Sequence, residues 1–319
     1  MRQNSGLGGL MADQAMPRAA AGQGPVGGPG AVVYAQLAGI VLFWGANWPL
    51  MKLALSDIGP LTFCFLRFAG AAAVLALLSR VLRFPLLPPP GERWPLALVG
   101  LLQIAGMLDL SSIALRVVPP GRAAVLAYTM QMWALPLGIL LAGERFTRGR
   151  VIGALLTFAG VLVFFNPALM DWSNPAVLLG NGLLLACALS WALGATLYRR
   201  RRGGWRTPFW TQTFWQIAVS AVATAPLALA AEHARPIHWT PALGTVLAFN
   251  WVIATGLCFW WWAKSLTAMP AAQAGQIICL VPVTALLLSA VFMGEPLTVG
   301  VLIAVALIGA GILTTMRAR

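Results

Sequence analysis

Runs of about twenty apolar residues, separated by short polar or charged breaks, recur ten times along the chain. They span 31–54, 60–82, 94–117, 120–142, 148–168, 175–198, 207–231, 240–267, 270–293 and 296–316. Each is long enough to cross roughly 30 Å of hydrocarbon as an α-helix, which pairs its own backbone polar groups where no water can. The pattern predicts an all-α integral membrane protein with ten transmembrane helices, most joined by links so short that neighbours run antiparallel. Residues 1–30 break the pattern. Eight Gly, three Pro and five Ala leave them almost nothing to bury, and they read as a flexible cytoplasmic tail. The first apolar run lies too far from the terminus, and is too long, to be a cleavable signal peptide.

Composition narrows the class. Only 9% of the 319 residues are charged, against about 25% in a soluble domain, too few to cover a water-facing surface. The net charge of +13 raises nucleic acid as a partner, but the cations sit at the edges of apolar runs rather than on one face. With the N-terminus inside, sixteen of the 21 Lys and Arg fall on the inner side. Lys52, Arg116, Arg122 and Arg235 fall outside, and Arg67 lies within the second span. That bias predicts both termini in the cytoplasm of a bacterial inner membrane. The four cysteines all lie in apolar runs without CxxC spacing, so neither a disulfide framework nor a metal or other cofactor is expected.

The chain also repeats. At an offset of 151, Gly143, Glu144, Thr147, Gly149, Ile152, Leu156, Ala159, Gly160 and Leu162 fall on identical residues from Gly294 to Leu313, and Pro119 meets Pro270. At 147, Trp44, Leu50 and Lys52 meet Trp191, Leu197 and Arg199. This predicts two five-helix repeats, 31–168 and 175–316. Because five is odd, the second must enter the membrane in the opposite sense. Inverted repeats are the architecture of many secondary transporters, with the site near mid-membrane at their seam.

Particular residues carry a resemblance. Trp44-Gly45-Ala46-Asn47 in span one, Arg67-Phe68 in span two, Ala114-Leu115 before Pro119, the Gly-Glu-x-x-Thr turns at 143–147 and 294–298, and Gly160 with Gly311 resemble the EamA type of the drug/metabolite transporter superfamily over about 31–316. The resemblance implies a ten-helix exporter of amino acids or related metabolites working by alternating access. Two departures stand out: Pro282 has Gln131 as its repeat partner, and span six has Ala192 where span one has Gly45. They imply that the halves contribute unequally to the site.

A solute cavity is expected from polar and aromatic residues at mid-span: Trp44, Asn47 and Trp48 in span one, Tyr128 and Gln131 in span four, Trp191 in span six, Asn250 in span eight, and Gln273 and Gln276 in span nine. Polar helix faces avoid lipid, and aromatic walls accept amphipathic solutes. Core packing is the competing reading for each tryptophan alone. Asp109 is the one carboxylate deep inside a span, and by residue count it lies at the depth of Arg67, so an Arg67–Asp109 ion pair is expected, either structural or as a proton or substrate-charge site. Glu144 and Glu295 fit capping of helix N-termini or proton coupling. Lys52 and Lys264 fit snorkelling or anion binding. The glycines of spans five and ten predict close packing of that pair, and Pro49, Pro136 and Pro282 are candidate bends. His233 and His238 lack the carboxylates a metal site needs.

The expected function is a secondary transporter, an exporter of small amphipathic solutes such as amino acids, with protons as a possible coupling ion, lipid around it and no nucleic acid. A monomer suffices, since the fused repeats complete the seam; a homodimer through spans five and ten is the other arrangement. No GxSxG, HExxH or GxxxxGK[ST] motif supports an enzyme or nucleotide hydrolysis. The alternatives are a non-transporting assembly or signalling protein, and a carrier of phosphorylated or nucleotide-sugar solutes using Arg67 and Lys264.

Overall fold

The structure is a computed structural model describing residues 30–142, 148–165, 174–201, 204–269 and 277–317. The tail, Glu144, Gln273 and Gln276 fall outside these residues, as does the Gln131 side chain. The described residues form helices α1 (Ala31–Ala54), α2 (Pro60–Leu82), α3 (Pro90–Ala114), α4 (Pro120–Ala127), α5 (Met130–Ala142), α6 (Arg148–Phe165), α7 (Pro175–Arg200), α8 (Phe209–Glu232), α9 (241–268), α10 (Val281–Met293) and α11 (Val299–Arg317). Six helices are long and apolar enough to cross a membrane: α1, α2, α3, α7, α8 and the Pro241–Trp262 part of α9. Their outward faces carry large apolar side chains, among them Leu77, Val222 and Val252, as lipid contact requires.

Helix ends follow local chemistry. Proline opens α2, α3, α4 and α7 in the first turn, where a missing N–H costs nothing. Asn174 caps α7 by accepting from Ala176 N, and Thr240 caps α9 by accepting from Leu243 N, both at 3.1 Å. The helices α2, α4 and α8 have no cap from their own flanks. Distant glutamates take that place. Glu232 accepts from Leu61 N and Thr62 N at the start of α2. Glu92 accepts from Arg206 N and Thr207 N ahead of α8, each at 3.0 Å, and pairs with Arg201 at 3.1 Å. Glu295 accepts from Gly121 N and Arg122 N at the start of α4.

Two helix pairs have an orientation that their contacts settle. Glu232, at the end of α8, meets the start of α2, while Trp210, at its beginning, stacks on Phe84 just past the end of α2. The helices α2 and α8 are therefore antiparallel. In α6 and α11, a Cβ on Gly160 would meet Ala304 O at 2.9 Å and Ile308 N at 2.9 Å. One on Gly311 would meet Gly153 O at 2.5 Å and Thr157 N at 2.6 Å. These helices too are antiparallel, and they approach so closely that only hydrogen fits at either glycine.

Span four is not one helix. It breaks at Tyr128–Thr129, between α4 and α5, and a matching turn at Cys279–Leu280 precedes α10, again at an offset of 151. The prolines named as candidate bends do not mark these breaks: Pro49 and Pro136 lie inside helices, and Pro282 sits in the first turn of α10. Proline is tolerated at such a start, so it marks the helix after the break rather than the break itself. A second irregularity is π-helical winding at Leu101–Gly106 in α3 and Phe249–Leu257 in α9. Carbonyls within these wide turns receive side-chain donors. Ala254 O accepts from Trp44 Nε1 at 3.0 Å and Leu102 O from Ser190 Oγ at 2.8 Å.

Candidate functional site

A cavity of about 120 Å³ lies among α1, α2, α3, α7, α8 and α9. Its walls are mostly apolar, with five aromatic side chains: Trp44 and Trp48 from α1, Phe68 from α2, Trp191 from α7 and Phe259 from α9. The N–H of Trp44, bound to Ala254 O, holds its ring edge-on to Phe259 with centroids 5.9 Å apart. Polar atoms are few. Asn47, Arg67, Gln103 and Thr255 reach the cavity, the last two from the π-helical turns, a winding frequent at functional sites.

Arg67 is half-buried, and its surroundings are neutral. With the Asn47 amide oriented by its neighbours, the Asn47 oxygen accepts from both Nη1 and Nη2 of Arg67 at 3.3 Å. The Asn47 nitrogen donates to Asn250 Oδ1 at 3.0 Å. Arg67 Nη1 also lies 3.2 Å from Met51 Sδ. Asn250 is fully buried behind this wall and donates to Val246 O at 2.8 Å.

The expected Arg67–Asp109 ion pair is absent among the described residues: Asp109 accepts instead from Thr224 Oγ1 at 2.8 Å, and its other oxygen is buried without a partner. Equal depth was the basis for the pairing, but depth does not set direction around the helix. Asp109 faces α8, whereas Arg67 faces α1. Between the two, Cys64 contacts Ser112 Oγ at 3.1 Å.

Of the expected cavity residues, Trp44, Asn47, Trp48 and Trp191 line the cavity, and so does Arg67, which was expected in an ion pair. Asn250 supports it from behind. Tyr128 is buried at the α4–α5 break and does not line it. Gln103, Thr255, Phe259 and Met51 were not anticipated. Only Gln103, a polar side chain in the middle of an apolar run, carried a signal that sequence reasoning could have used. Lys52 does not line the cavity: its ammonium donates to Leu115 O and Arg116 O at the end of α3. Lys264 is exposed on α9. Among the described residues no group of His, Cys, Asp and Glu could hold a metal ion.

A bundle of lipid-faced helices around an apolar, sparsely polar cavity defines a multi-pass membrane protein. The EamA-like transporter family matches residues 32–166 and 178–317, and the chain belongs to that family of membrane transporters. It is 31% identical over 280 residues to YvbV, an uncharacterized transporter of Bacillus subtilis, covering 85% of this chain and 87% of that one. It is 26% identical over 280 residues to a probable amino-acid metabolite efflux pump of Salmonella typhimurium, covering 86% and 91%. A solved crystal structure 22% identical in sequence superposes with a TM-score of 0.64 over 89% of this chain and 96% of that one, a likeness of fold.

Proposed function

We propose that this transporter is a secondary carrier, working as an exporter of small amphipathic organic solutes, the class that includes amino acids and related metabolites. The observation that carries the reading is the mid-bundle cavity with aromatic walls and a single guanidinium. The proposed frame is two inverted five-helix repeats forming ten spans, with both termini in the cytoplasm of a bacterial inner membrane. Four facts support the inversion: the separate matches of 32–166 and 178–317 to one family, the antiparallel pairing of α2 with α8 and of α6 with α11, the breaks offset by 151, and the π turns in both α3 and α9. The side assignments gain support where helix ends meet. Glu92 finds Arg206 and Thr207, while Glu295 finds Gly121, each pair on one expected side.

Alternating access would rock the halves about this cavity. The fused halves complete the seam in one chain, so a monomer is the proposed unit, with no enzymatic step. The nucleotide-sugar alternative needs Arg67 and Lys264 together in the cavity, and only Arg67 lines it. The export direction and the amino-acid class take support from the Salmonella relative's description. Efflux and counterflow from reconstituted vesicles, over a panel of amino acids and related organic acids with and without a pH gradient, test the proposal. No movement of any organic solute would overturn it.

A further inference from the structure

Among the sixteen residues lining the cavity Arg67 is the only ionisable one. Its described contacts are the Asn47 carboxamide oxygen and Met51 Sδ, neither of which bears charge. A guanidinium carries five N–H donors, and those contacts occupy at most three. Among the described residues no carboxylate lies within ion-pair distance of it. Asp109, the acid expected to neutralise it, is committed to Thr224 and absent from the lining. A fixed charge in a low-dielectric interior without a counter-ion is costly unless an anion or water meets it.

The aromatic walls decide what accompanies the anion. Trp48, Trp191 and Phe259 offer flat apolar surface and no negative group to hold an ammonium. Resting on the carrier reading above, we infer that the cavity selects amphipathic monocarboxylates: an aromatic or apolar body against these rings, with its carboxylate on the free donors of Arg67. A monoanion brings the occupied site to zero net charge. A zwitterionic amino acid leaves it at plus one, an organic cation raises it to plus two, and a dianionic phosphate overshoots to minus one. Gln103 and Thr255, the neutral polar groups of the π-helical turns, complete the polar end. The guanidinium fork fits a carboxylate by two parallel hydrogen bonds.

The test uses solutes that share a phenyl body and differ in charge. Phenylacetate, phenylalanine, phenethylamine and phenyl phosphate are titrated against the purified full chain in detergent, with tryptophan fluorescence as the readout. Phenylacetate is expected to bind at least about tenfold tighter than each of the others, a step of 1.4 kcal/mol. Arg67→Gln should remove that preference and Arg67→Lys restore part of it, while affinity for uncharged phenethyl alcohol stays within about twofold in both. Equal binding across the series, tighter binding of the amino acid, amine or phosphate, or no binding at all overturns the inference. So does an Arg67→Gln protein that keeps its phenylacetate affinity. The wild-type series decides even if the variant fails to fold. Selective binding of phenylacetate without counterflow in vesicles would sink the carrier reading and leave the anion site standing.

Discussion

Glu295, between α10 and α11, holds Gly121 at the start of α4: its Oε2 accepts the Gly121 N–H at 2.8 Å, and its Oε1 accepts the Arg122 N–H at 2.9 Å. The carboxylate ties two segments 174 residues apart. It caps a helix N-terminus, as its surroundings in the sequence foretold, but the helix belongs to the other half of the chain. Gly121 is small for this reason, since a Cβ there would lie 2.7 Å from the carboxylate and 2.9 Å from the Leu286 backbone. Glu295→Ala leaves two buried N–H groups unpaired and should cost about 0.5–2 kcal/mol, read as a lowered Tm in detergent.

Acid should act on this tie in a defined direction. Burial pushes the Glu295 carboxyl above its ordinary value, while the Gly121 and Arg122 N–H groups and the Arg122 charge only partly offset it. A raised folded value means that the folded state binds the proton more tightly than the unfolded chain. This group's contribution is therefore complete below the unfolded value of 4.5 and lost as pH rises through the higher folded one. Wild-type Tm relative to Glu295→Gln should rise as pH falls from 7 toward 4.5; a difference that does not change with pH would refute this.

The α6–α11 crossing predicts matched effects at matched positions. Gly160→Val and Gly311→Val each drive a side chain into the facing backbone and should each cost about 1–3 kcal/mol. Gly309 has nothing within 4 Å of its would-be Cβ, so Gly309→Ala should leave Tm within about a degree, because a substitution that touches nothing moves stability by under 0.5 kcal/mol. Equal tolerance at all three would mean that the two helices do not cross here.

Among the described residues Asp109 accepts a hydrogen bond from Thr224. Thr224→Val strips it and should destabilise by about 1–3 kcal/mol, since both carboxylate oxygens are then buried unpaired. Adding Asp109→Leu should recover most of that loss, because the pair is replaced by apolar side chains. A double variant worse than Thr224→Val alone contradicts this.

Spans one and two were legible to the residue, because a run of apolar side chains between Gly, Pro or charged stops is what hydrocarbon demands. The break at Tyr128–Thr129 was not, since neither residue is a helix breaker and the nearby Pro136 pointed past it. Depth could be counted along α2 and α3, which placed Arg67 and Asp109 level. The direction of each side chain could not be counted, because π-helical winding at Leu101–Gly106 shifts the faces of α3 away from a 3.6-residue period. Trp44, Asn47 and Trp48 were found because three bulky or polar residues in one apolar span have few other places to go.

Access to the cavity from both sides of the membrane is the heart of the account, and Thr255 reports on it most directly. In a chain whose four cysteines are replaced by alanine, Thr255→Cys is exposed to a membrane-impermeant sulfonated methanethiosulfonate in right-side-out and in inverted vesicles. Labelling from both faces, slowed by phenylacetate, is the predicted result. Labelling from one face alone, or from neither, would contradict alternating access around this cavity.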